Sequence, residues 1–151
     1  IDSDGNSLEK IEGRYIQHEL IQTWLFYKNC FFHTAGMMRK LILPDPPYIE
    51  DNFAEDYNLW VDLLLTHELH ILDEVLMKVR NLPEGLRHQP ECEKSIRYVR
   101  MKQLEWLHLY PTRMELSIHL KLVSKNKETD PAYVYETLEW LDKIYIANKK
   151  Y

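Results

Sequence analysis

Glycine is scarce in this sequence, with four residues in a chain of 151. So few glycines leave few tight turns, which excludes a sandwich or barrel built from many short strands. Only two cysteines occur, Cys30 and Cys92, and they form no CxxC pair. A zinc ribbon and a dithiol redox motif are therefore excluded. We read the pair as buried thiols of an intracellular protein, in cytoplasm or nucleus. No apolar run approaches the roughly 18 residues needed to span a bilayer, and no signal-peptide pattern is present. Positive charge is also in short supply. The net charge is −5, and only Lys125 with Lys127 and Lys149 with Lys150 cluster. Phosphate neutralisation supplies most of the affinity of a nucleic-acid binder, so neither nucleic acid nor membrane is an expected partner.

Catalytic signatures are missing as well. There is no Gly-rich phosphate loop, no GxSxG elbow and no Cys/His pairing that sequence would bring together. We expect no enzyme activity and no cofactor. What remains is a chain whose hydrophobic share of 45% and length suit one domain with a real core. We expect a single helical domain over 1–151, cut from a longer chain because the first residue is Ile1 rather than Met.

Apolar spacing predicts the elements. Asn6 and Glu9 form a capping-box pattern. From there Leu8, Ile11, Tyr15, Ile16, Leu20, Trp24, Tyr27 and Phe31 recur at three and four, predicting one long helix to about Leu41. Pro44-Asp45-Pro46-Pro47 stops it. Asn52 with Glu55 opens a second helix, expected to run to about Asn81 before the turn at Pro83-Glu84-Gly85. Pro90 and Glu91 open a third, with Cys92, Ile96, Val99, Gln103, Trp106 and Tyr110 on one side. Leu116, Ile118, Leu120 and Leu122 alternate with polar residues as in a strand. However, Thr112 and Glu115 form a capping box and no partner strand exists, so a short fourth helix is expected. Asp130-Pro131 caps a last helix carrying Val134, Leu138, Leu141 and Tyr145. The fold class is all-α, about five helices in an antiparallel bundle. One tryptophan on each larger helix (Trp24, Trp60, Trp106, Trp140) is read as a shared core.

Leu104-Glu105-Trp106-Leu107 and Leu138-Glu139-Trp140-Leu141 are the same tetrapeptide, 34 residues apart. That spacing equals the tetratricopeptide period, and Asp130-Pro131 resembles the dipeptide that opens such repeats. His119, Asn126, Leu107 and Leu141 depart from the small residues that pattern requires. A short α-solenoid of helical hairpins is thus the alternative fold, and no family is assigned.

The stretch Thr66-His67-Glu68-Leu69-His70-Ile71-Leu72-Asp73-Glu74 raises the sharpest functional question. Zinc proteases carry HExxH, and this HExH is one residue short. Di-iron bundles use Glu-x-x-His on two helices, and one such pair occurs here, Glu105 with His108. The metal alternative is therefore a helical-bundle site drawn from His67, His70, Glu74, Glu105 and His108. At about 100° per residue, His67, His70 and Glu74 share one face of the second helix, opposite Val61, Leu65, Leu69, Leu72, Leu76 and Val79. Leu59, Trp60, Leu63 and Met77 lie beside that polar face, giving the helix a second apolar stripe. We read this face as a docking surface for another protein or peptide. Its residues are Leu59, Trp60, Leu63, His67, His70, Glu74 and Met77, joined by Tyr48 and Ile49 of the proline-rich loop. The expected function is a non-enzymatic interaction domain acting as scaffold or adaptor in an intracellular complex. A self-associating homo-oligomer is the other alternative.

Overall fold

Asn29 ends the first helix well before Leu41. Its side-chain Oδ1 accepts the Phe31 N–H at 3.0 Å and its Nδ2 donates to Asp56 at 2.9 Å, a local bond that competes with helix continuation. The computed structural model describes residues 17–50, 52–74, 76–78, 90–123 and 130–150. Among these residues the fold is all-helical, with no strand. The α-helices are α1 (His18–Tyr27), α2 (Glu55–Leu64), α3 (Pro90–Trp106), α4 (Arg113–Lys121) and α5 (Pro131–Asn148). Two short 3₁₀ turns, His33–Ala35 and Lys40–Ile42, lie between α1 and α2. The expected helix start at Asn6 and Leu8 and the turn at Pro83-Glu84-Gly85 lie outside the described residues.

Caps read from sequence operate at α4 and α5. Thr112 Oγ1 accepts the Glu115 N–H, and Glu115 returns the bond to the Thr112 N–H at 2.7 Å. That reciprocal cap resolves the alternating segment as helix. Asp130 caps α5 through the Ala132 N–H at 3.0 Å, with Pro131 in the first turn. At the end of α3, Leu109 N–H bonds to Leu104 O and His108 N–H to Glu105 O, both at 2.9 Å. This is a Schellman closure, and its left-handed residue is His108 at φ 53 rather than a glycine. A side chain in that region costs about 1 kcal/mol, so His108→Gly is expected to raise unfolding free energy by about 0.5–1 kcal/mol in a urea titration. An unchanged or lower midpoint would show that the imidazole contributes more than the backbone relief.

The helices pack as a bundle around two apolar clusters. Ile21 and Leu25 of α1 meet Tyr57, Leu59, Trp60, Val61 and Leu63 of α2 and Val99 of α3 in the first. In the second, Leu104 of α3, Ile118 of α4 and Trp140 and Ile144 of α5 pack together. One buried turn of α3 joins the two clusters and closes two helix ends. Gln103 Nε2 and Tyr57 OH both donate to the Leu25 carbonyl near the end of α1, at 3.1 and 2.5 Å. Arg100 Nη1 donates to the Leu120 carbonyl at 2.9 Å and reaches that of His119 at 3.5 Å, at the end of α4. The guanidinium thus meets the negative end of a helix dipole, which offsets part of its desolvation. Burial pushes the Tyr57 phenol up to about 12, with Arg100 opposing.

The shared-tryptophan core does not form. Trp60 and Trp140 are buried in different clusters, Trp106 is half-buried, and Trp24 is exposed. The repeated tetrapeptide is likewise not equivalent in space. Leu104 is buried in α3, whereas Leu138 is 54% exposed in α5 and the core residue there is Trp140. True structural repeats bury equivalent positions, so the two copies do not make a hairpin solenoid.

Candidate functional site

The second helix stops at Leu64, and this dissolves the face on which the His/Glu reading rested. Beyond the turn at 65–67 the chain runs without helix through 68–74 and 76–78. His18 Nδ1 of α1 accepts the Leu69 N–H at 3.2 Å, and Leu69 and Ile71 pack against the first cluster. Tertiary contacts therefore override a strong helical period. His67 Nδ1 sits 2.7 Å from Thr66 Oγ1, His70 lies 3.6 Å from Glu68, and Glu74 is exposed. Glu105 and His108 belong instead to the closure of α3. Among the described residues no three His, Cys, Asp or Glu side chains come together as a metal-binding group. The proposed ligands His67, His70, Glu74, Glu105 and His108 are therefore not brought into one site.

Leu59, Trp60 and Leu63 are buried, contrary to the expected docking stripe. Trp60 is covered by the chain's own segment 28–50. Phe31, Met38, Ile42 and Leu43 pack against the first cluster, with the Phe31 and Trp60 ring centroids 5.1 Å apart and His33 edge-on to Trp60. Gly36 permits the closest approach. A Cβ there would lie 2.9 Å from the Trp60 ring and 3.2 Å from the His33 carbonyl. Gly36→Ala is expected to cost about 1–3 kcal/mol, read as a lower thermal midpoint. A neutral result would mean the indole yields at no cost. Tyr48 and Ile49 are exposed as expected, although the Tyr48 hydroxyl is already tied to His33 Nε2 at 3.0 Å. Met77 is also exposed, together with Leu72 and Leu76.

The surface that sequence reasoning missed is on α5. Val134, Leu138, Leu141 and Tyr145 look like its core stripe, yet the helix buries the opposite side through Trp140, Ile144 and Ala147. Val134, Tyr135, Leu138, Tyr145 and Ile146 are all exposed, Tyr135 at 71%. On a wheel of about 100° per residue, Leu138 falls about 160° from Trp140. The signal was available, because Trp140, Ile144 and Ala147 form a second apolar stripe, and a helix apolar on two sides needs two covers.

Charge is segregated along the same helix. Asp130, Glu136, Glu139 and Asp142 all precede Lys143, Lys149 and Lys150. Lys143 binds Glu115 of α4, and that pairing, with the Thr112 N–H, holds the Glu115 carboxyl below the usual range. Lys149 lies 4.3 Å from the centre of the Tyr145 ring. Where α5 passes the end of α3, an open groove of about 250 Å³ is lined by Leu107, His108, Leu109, Lys143, Ile146, Ala147 and Lys150. Ile146 thus belongs to both the groove and the outer face.

Neither thiol is in a disulfide, Cys92 being buried and Cys30 half-buried. Burial pushes the Cys30 thiol up to about 11, which removes it as a nucleophile near neutral pH. Among the described residues no helix is long and apolar enough to cross a membrane. No protein-family profile, no curated protein and no solved structure matches the chain.

Proposed function

We propose that this chain is a non-enzymatic helical interaction domain, a scaffold or adaptor module, whose contact surface is the outer face of α5. The observation that carries the reading is the two-sided apolar character of α5: one side completes the core, and the other presents aliphatic and tyrosine side chains to solvent. Tyrosine is favoured where proteins meet, since it supplies a large amphipathic surface at low entropic cost. Two cysteines outside any disulfide fit the reducing interior of a cell.

The test is affinity capture with the wild-type chain against Leu138→Glu. Leu138 is the right probe because it is exposed, whereas Leu63, on the stripe first expected to dock, is in the core. Partners retained by wild type and lost by Leu138→Glu, with unchanged circular dichroism, are the expected result. Identical capture by the two proteins would remove α5 from the proposal.

A further inference from the structure

We propose that the occupant of the α5 outer face is a second copy of this chain, paired antiparallel through α5. This rests on the interaction reading above and names its partner. The seam is exposed Val134, Leu138 and Tyr145 with half-buried Leu141, at spacings of four, three and four. Such spacing is the a/d pattern of helix pairing, and it reads the same in both directions. Under a two-fold axis each Leu138 meets Leu141 of the second copy. Val134 meets Tyr145 there, so the smallest residue faces the largest and the layers stay even. A parallel pair would instead place Tyr145 on Tyr145 and Val134 on Val134, crowding one end and leaving a gap at the other.

Charge selects the same direction. Along α5 and its two caps the acidic residues occupy 130–142 and the lysines 143–150, of which Lys143 is taken by Glu115 of α4 and Lys149 and Lys150 remain at the C-terminal end. Antiparallel pairing sets the acidic half of each helix beside the basic half of the other and opposes the two helix dipoles. Parallel pairing stacks like on like. Trp140, Ile144 and Ala147 stay in their own core, so docking asks nothing of the fold. One helix of about five turns offers less than the roughly 800 Å² per partner of a standard interface. The dimer is accordingly a reversible one.

Sedimentation equilibrium across a concentration series should show a monomer–dimer equilibrium, weakened about tenfold or more in Leu138→Glu and in Tyr145→Glu, with both variants melting like wild type. Direction is read by disulfide trapping in a Cys30→Ala/Cys92→Ala background that retains the wild-type melt. A mixture of Val134→Cys and Tyr145→Cys should give the mixed cross-link, and Val134→Cys alone should give none. Self-cross-linking of Val134→Cys overturns the antiparallel arrangement, and a dimer insensitive to Leu138→Glu overturns the surface. A protein that stays monomeric overturns self-pairing. If that monomer still captures a partner in a Leu138-dependent way, the interaction reading survives; if not, both fall.

Discussion

Trp140→Ala is expected to cost about 3–5 kcal/mol of unfolding free energy, whereas Leu138→Ala, two residues earlier on the same helix, should cost less than about 1 kcal/mol. The two sit in the tetrapeptide Leu138-Glu139-Trp140-Leu141, and hydrophobicity alone would rank them similarly. Their settings differ. Trp140 is 2% exposed and packs with Leu104, Ile118 and Ile144, and its Nε1–H donates to His119 Nδ1 at 3.4 Å. Truncation removes a large apolar area, leaves a cavity among three helices and frees a buried acceptor. At Leu138 the side chain is half in water and belongs to neither apolar cluster. The check is paired urea unfolding of the two variants. Equal losses would mean that the outer face is covered and that α5 does not present it.

The same contrast explains how much of this fold was legible. Helices α4 and α5 were read correctly because their starts are local: Thr112 with Glu115, and Asp130 with Pro131, satisfy backbone donors within one turn. The ends of α1 and α2 are not local. Asn29 turns the chain by reaching Asp56, and the segment after Leu64 is held by His18 against Leu69, a contact 51 residues apart in sequence. Period alone ran both helices on through these points. For the candidate site, a stripe such as Val134-Leu138-Leu141-Tyr145 looks identical whether it faces a core or a partner. What decides is which stripe the rest of the chain covers. Segment 28–50 covers Trp60 on α2 and packs against its cluster, and among the described residues Val134 and Leu138 stay exposed.

Acidification from neutral pH to pH 4 is expected to remove about 3 kcal/mol of stability through His119 alone. The imidazole has no solvent exposure and is enclosed by the rings of Phe26, Tyr27 and Trp140. Trp140 donates to Nδ1, so the neutral ring carries its proton on Nε2, and Nε2 has no partner among the described residues. Burial lowers the pKa from 6.5 to about 4, and the Arg100 charge adds to the shift. The folded ring is therefore neutral where the unfolded one is already charged. Between about pH 6.5 and 4 the unfolded chain binds the extra proton, so stability falls as pH falls; above that window His119 contributes no slope. Carboxylates such as Glu115, also depressed in the fold, add a loss at lower pH that must be separated. His119→Gln supplies the control, since its amide oxygen still accepts from Trp140 but does not titrate. Urea midpoints measured from pH 7 to 4 should drop in wild type and stay nearly level in His119→Gln until the carboxylates protonate. Equal slopes in the two proteins would mean that water or a counter-charge already reaches His119.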